Sequence, residues 1–153
     1  MTIKGYIKGS ILDAPQKYIA HGVNCQNVMG SGVAKALFDK YPKVKEDYHY
    51  YHSEMLEDVC DNIYLLGSYS VSDQLDGKHV LNCYTQEFYG RNKKKFVSYD
   101  AIFNVFKHMS KMGVKEVAIP KIGCGLAGGN WEIVKLIIDD ATGNDLDVYV
   151  YEL

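Results

Sequence analysis

Residues 18–38 read YIAHGVNCQNVMGSGVAKALF, with ligand-capable polar side chains crowded directly behind an apolar run. His21 and Asn24 stand three positions apart. The imidazole of a histidine titrates near about 6.5 and suits proton transfer, and the amide of Asn24 both donates and accepts toward vicinal hydroxyls. Gly30, Ser31 and Gly32 then lead into an amphipathic run that begins at Val33. Residues 117–134, VAIPKIGCGLAGGNWEIV, repeat this arrangement: an apolar run, the loop Ile122, Gly123, Cys124, Gly125, Leu126, Ala127, and a second amphipathic run. Glycines let a backbone approach an anion, and the first-turn N–H groups of a helix then bind it without side-chain charge. Two such loops suit a diphosphate better than a single phosphate. Neither contains GK[ST] or GxGxxG, which disfavours simple nucleotide hydrolysis and dinucleotide oxidoreduction.

The elements that must position these residues alternate along the chain. TIKGYIKGSIL reads as an opening strand ending near Gly9, and KYIAHGVN as a short strand buried on both faces. Residues 32–40 read as a helix stopped by Tyr41-Pro42, with Pro42 opening the next helix, PKVKEDYHYYHSEM. NIYLLGSYSV and KHVLNCYTQ flank the turn cluster SDQLDG as a hairpin. FVSYDAIFNVFKHMSKMG is a helix with Ala101, Val105, Phe106 and Met109 on one face and Gly113 as its stop. VKEVAIP is a strand, WEIVKLIIDDAT a helix and DLDVYVYEL a closing strand. The pattern predicts an α/β fold, a mixed sheet with helices on both faces. Both glycine loops then fall at carboxyl ends of strands, where α/β folds bind ligands.

Composition bounds the function. With 153 residues, 47% of them hydrophobic, a single domain over residues 1–153 is expected. A formal net charge of -2 provides no global basic field for nucleic acid. The basic cluster Arg91–Lys95 reads first as a solvated loop, with steering of a phosphorylated or nucleic-acid-linked substrate as the alternative. Cys25, Cys60, Cys83 and Cys124 lack metal or disulfide spacing and read as free thiols in a reducing cytoplasm. His49 and His52 have no third ligand, so no metal is expected, and they read as helix surface. Cys124 lacks the CxxxxxR loop of a thiol phosphatase and reads as a small loop residue. No apolar leader or membrane-length run is present in the sequence. A monomer without cofactor, binding a small molecule and no membrane, is the expectation.

Together, IAHGVNCQNVMGSGVAKAL and AIPKIGCGLAGGNWEIV resemble a macro domain, the ADP-ribose-binding fold. The chain is similar, nearly end to end, to the branch holding yeast-type ADP-ribose-1''-phosphate phosphatases, the terminal ADP-ribose protein glycohydrolase and the DNA ADP-ribosyl glycohydrolases. The resemblance implies a three-layer α/β/α fold with a mixed central sheet. It implies that Gly9, Ser10 and Ile11 line an adenine end and that Asn24 holds distal ribose hydroxyls. Gly30, Ser31, Gly32 and Val33 would clamp the diphosphate from one side, and the loop Ile122 to Ala127 from the other. Thr85 and Gln86 join the lining at the end of their strand. Tyr151 would flank adenine or pack as an ordinary aromatic, and Trp131 reads as core.

Departures from the resemblance decide the expected activity. Both glycohydrolase groups carry a lysine where this chain has Gln86, and the protein glycohydrolase has an aspartate where this chain has Ala127. An amide and a methyl do no nucleophilic or acid–base work near neutral pH. The phosphatase-like members share the histidine of IAHGVN, the FDKYPKVKEDY stretch and an uncharged residue at the Gln86 position. Hydrolysis of ADP-ribose 1''-phosphate is therefore the leading expectation, with His21 as base and Asn24 beside it. The alternatives are binding of ADP-ribose or a related NAD-derived nucleotide without turnover and, more weakly, glycosidic cleavage. A histidine within an apolar strand is commonly a satisfied core residue, so the role of His21 turns on where its ring lies.

Overall fold

The computed structural model describes residues 2–25, 32–55, 65–86, 97–124 and 128–153. Among these residues, six strands form one sheet: β1 (Ile3–Lys8), β2 (Tyr18–Asn24), β3 (Tyr69–Asp73), β4 (His79–Gln86), β5 (Glu116–Ile119) and β6 (Asp147–Glu152). Their order across the sheet is β1-β6-β5-β2-β4-β3. All neighbouring pairs are parallel except β3 with β4, which pair antiparallel as the hairpin pattern predicts. Gln74 N–H donates to Lys78 O across its turn at 2.8 Å, and Gly77 supplies the positive φ of 89° that the turn requires. β3 begins at Tyr69, later than the apolar run suggests. Leu65 lies in a turn instead, fully buried, and Ser68 N–H returns to its carbonyl.

Among the described residues, four α-helices cover the sheet: α1 (Gly32–Lys40), α2 (Pro42–Met55), α3 (Tyr99–Lys111) and α4 (Trp131–Thr142). Two buried clusters divide at the sheet. One joins Leu37 of α1, then Val44 and Tyr48 of α2, to Ile19, Val23 and Tyr84. The other joins Ala101, Val105, Phe106 and Met109 of α3, and Val134 and Ile138 of α4, to Ala20, Leu81 and Val117. The strand period of two explains the division, since Ile19 and Val23 face one layer and Ala20 the other. The architecture is the expected α/β/α sandwich. Ser98 and Asn130 cap α3 and α4, accepting from Ala101 N–H and Glu132 N–H, and Gly113 follows α3 at φ 85°. Trp131 packs against the core cluster without being fully buried. It is half-buried, edge-on to Tyr6 at 6.4 Å, and its indole N–H donates to the Tyr6 hydroxyl at 3.2 Å.

Candidate functional site

Five of the six strands run parallel, so their carboxyl ends share one edge of the sheet. From β2 the chain passes over the α1–α2 face toward β4; from β5 it passes over the α3–α4 face toward β6. The connections diverge, and in α/β folds such a divergence opens a ligand crevice outside the carboxyl ends of the strands, here β2 and β5. Strand spacing of about 4.8 Å places the end of β1 about 14 Å from that of β2 along this edge. The edge fits an elongated ligand.

Asn24 ends β2 and is 7% exposed. The Tyr48 hydroxyl on α2 donates to its backbone oxygen (2.8 Å) and to its Oδ1 (2.9 Å). The pairing of β2 with β4 shifts register here: Val23 opposes Tyr84 but Asn24 opposes Gln86, leaving Thr85 as the extra residue of a bulge. Regular alternation would place Asn24 on the Ala20 and Gly22 face. At the end of the strand its amide nonetheless reaches the Tyr48 hydroxyl of α2. Beyond it, Cys25 N–H donates to Gln86 O at 3.0 Å, and His52 Nε2–H donates to Cys25 O at 3.1 Å. His52 therefore does more than coat a helix: together with Tyr48, one turn earlier, it ties α2 to the end of β2.

Thr85 is 1% exposed, its carbonyl accepts from Ser98 N–H at 2.7 Å, and its Oγ1 has no hydrogen-bond partner among the described residues. A Cβ on Gly22 would lie 2.6 Å from that oxygen, so any larger residue there must displace the Thr85 hydroxyl. Ile122, 2% exposed, packs beneath the second loop. Gly123 (φ 77°) and Gly129 form the neck of this loop, with Gly129 N–H donating to Gly123 O at 2.7 Å. A Cβ on Gly129 would meet that same oxygen at 2.5 Å, and one on Gly123 would meet Val97 Cγ2 at 2.5 Å. The glycines serve close backbone packing here. Cys124 has its thiol pointed at Ile122 O (3.3 Å), and burial raises its pKa against the opposing pull of Lys121. It stays a protonated thiol, as its reading as a small loop residue requires.

The remaining sequence-derived residues fall in three places. Gly32, at φ 62°, opens α1 with Val33 next to it. At the far end of the edge, Gly9 N–H donates to Glu152 O at 2.8 Å, and Ser10 Oγ accepts from Leu12 N–H to cap a single 3-10 turn, Ile11–Asp13. Ile11 and Tyr151 are buried in the α1–α2 layer, at 7% and 8% exposure, and the Tyr151 hydroxyl donates to Gln16 Oε1 at 2.8 Å. Gly30, Ser31, Gly125, Leu126, Ala127, Cys60 and the 91–95 cluster lie outside the described residues.

His21 departs from the expectation of a base in the cleft. Alternation from Ile19 and Val23 turns its ring into the α1–α2 layer, where it is 1% exposed. Its Nε2–H donates to Asn82 Oδ1 at 2.6 Å, directly opposite on β4. The Asn82 amide donates onward to Val44 O (3.3 Å) and Ser70 Oγ (3.2 Å). Burial lowers the pKa of His21 to about 4, with the bond to Asn82 a smaller opposing influence. The imidazole is neutral near pH 7 and braces the β2–β4 pair. Sequence reasoning missed Tyr48, Asn82 and His52, whose partners lie on other elements.

Among the described residues, no group of three or more His, Cys, Asp or Glu side chains could hold a metal. None of their helices is long and apolar enough to cross a membrane. An apolar groove lined by Phe103, Leu136 and Ile137 runs between α3 and α4, apart from this crevice.

Residues 20–138 match the family model described as Macro domain. The chain is 36% identical over 149 residues to the 17.5 kDa protein of the tk-vs intergenic region of Enterobacteria phage T4, covering 91% of this chain and 89% of that one. It is 27% identical to a Saccharomyces cerevisiae ADP-ribose 1''-phosphate phosphatase, with 97% of each chain covered. Against the Mycobacterium tuberculosis DNA ADP-ribosyl glycohydrolase it is 29% identical over 95% of its own length but spans only 41% of that protein. The last two names are those of hydrolases. The solved macrodomain of Mycobacterium tuberculosis DarG superposes with a TM-score of 0.74 at 27% identity, covering 97% of this chain and 96% of that one.

Proposed function

This chain belongs to the macro domain family, and on that premise we propose that its sheet-edge crevice binds ADP-ribose and hydrolyses the phosphate of ADP-ribose 1''-phosphate. The elongated edge, with an amide at one end and a capped turn at the other, accommodates a nucleotide with a second ribose. Asn24 would donate to the distal ribose, and loop N–H groups would hold the phosphates without side-chain charge.

The observation that carries the choice of reaction is the register of Asn24 opposite Gln86. An asparagine and a glutamine stand in register where the resemblance places a glycohydrolase lysine. Neither can attack an anomeric carbon nor move a proton near neutral pH. Phosphomonoester hydrolysis asks less of the protein: oriented donors and a positioned water suffice for much of the acceleration. His21 enters this reading as a positioning residue, acting through Asn82 on the strand that ends in Gln86.

The test is incubation of the protein with ADP-ribose 1''-phosphate, free ADP-ribose, ADP-ribosylated DNA and ADP-ribosylated protein, with products separated. Inorganic phosphate from the first substrate and intact glycosidic linkages in the others are expected. Binding of ADP-ribose with no phosphate released would replace the enzyme by a non-catalytic binder. Efficient release of ADP-ribose from DNA or protein would overturn the argument from Gln86.

A further inference from the structure

We propose that the groove between α3 and α4 docks a short amphipathic helix of a partner protein, its apolar residues flanked by lysine or arginine. Ile133, Leu136, Ile137 and Asp140 form one stripe of α4 at helical spacing and line the groove, facing Asp100 and Phe103 of α3. The two helices start side by side, since the Tyr99 hydroxyl accepts from Asn130 N–H at 3.1 Å. The core does not use this stripe in full. Val134 and Ile138 are buried beneath α4, whereas Ile133 is 42% exposed and Leu136 63%. An apolar strip left open to solvent and rimmed by carboxylates is the form an interaction surface takes.

Charge decides the partner. Both charged residues lining the groove are aspartates, Asp100 in the first turn of α3 and Asp140 in the last turn of α4. Both are exposed, and neither is ion-paired among the described residues. The last turn of α4 holds no basic side chain, so the charge of Asp140 adds to the negative end of the helix dipole. Lys107 lies over the Phe103 ring, 5.6 Å from its centre, and makes no ion pair with either carboxylate. Cations at the two ends of a docked helix would meet these acids, while apolar side chains at i, i+3 and i+4 between them would match the α4 stripe. A second copy of this chain fits less well: it would bring the same acids to a two-fold interface, where like charges repel.

The probe is a fluorescent synthetic helix of leucines and lysines with its leucines on one face, compared with the same peptide carrying glutamates for the lysines. The lysine peptide should bind wild type at least about tenfold more tightly than the glutamate peptide. Leu136→Ser and Asp140→Lys, both at exposed positions, should each weaken it by about tenfold. Both variants should keep the helical circular dichroism of the wild type, so that a loss reports on docking and not on the fold. Amide shifts that change on titration with the lysine peptide should centre on α3 and α4. Equal binding of the two peptides, no binding of the lysine peptide, or binding that survives both substitutions would overturn the proposal. So would dimerisation of wild type that Leu136→Ser abolishes, which would give the groove to a second copy of this chain.

Discussion

His21 Nε2 lies 2.6 Å from Asn82 Oδ1, across the β2–β4 pair and out of solvent's reach. With Nε2–H donating, Nδ1 carries the lone pair, and it has no hydrogen-bond partner among the described residues. A second proton there would place an unpaired charge in the core, which is why burial depresses the pKa to about 4.

The sign of the pH dependence follows from that depression. Unfolded, His21 would titrate near 6.5 and bind more protons than in the fold between that value and about 4. Its contribution to stability is therefore full above about pH 6.5 and is lost as pH falls toward 4, by on the order of 3 kcal/mol. Denaturant unfolding of wild type and His21→Gln at pH 7 and pH 5 should show a steeper loss in wild type. A parallel loss in both would mean that the imidazole is not held neutral. In turnover of ADP-ribose 1''-phosphate, His21→Gln should retain most activity and His21→Ala should lose more, as bracing requires. Loss of two or more orders of magnitude in a fully folded His21→Gln would restore the imidazole as a base.

Gly22 and Thr85 should couple. A Cβ at position 22 would sit 2.6 Å from Thr85 Oγ1 but 3.9 Å from Thr85 Cβ. Gly22→Ala should cost about 1–3 kcal/mol by overpacking. Thr85→Ala removes the obstructing hydroxyl, and in that background Gly22→Ala should cost little. Strictly additive unfolding energies across the four proteins would show that the contact does not limit this position.

Gly32 separates backbone strain from ligand repulsion. Its φ of 62° penalises any side chain, yet a Cβ there meets nothing within 4 Å. Gly32→Ala should therefore lower stability by about 1 kcal/mol with the fold intact. Gly32→Glu should add to this a carboxylate beside the proposed diphosphate and remove most ADP-ribose binding. Calorimetric titration of both variants checks it. Undiminished binding by a folded Gly32→Glu protein would move the phosphates away from the start of α1.

The residues by themselves determined the elements and their order. Periodicity separated KYIAHGVN from the helices that follow, Pro42 divided α1 from α2, and SDQLDG announced the β3–β4 turn, because these are properties of neighbouring residues. They also placed Asn24 and both glycine loops at strand ends. Only the tertiary structure decided what those side chains do. The partner of His21 is 61 residues away and that of Asn24 is 24 away, and neither is specified by local pattern. Whether a side chain on β2 faces a cleft or the core depends on pairing register and on what packs over each face, and the hydroxyl that meets Asn24 comes from a separate helix. A one-residue shift inverts the face of a strand without altering its hydrophobic period upstream, so β2 reads the same in sequence whether His21 is a base or a brace.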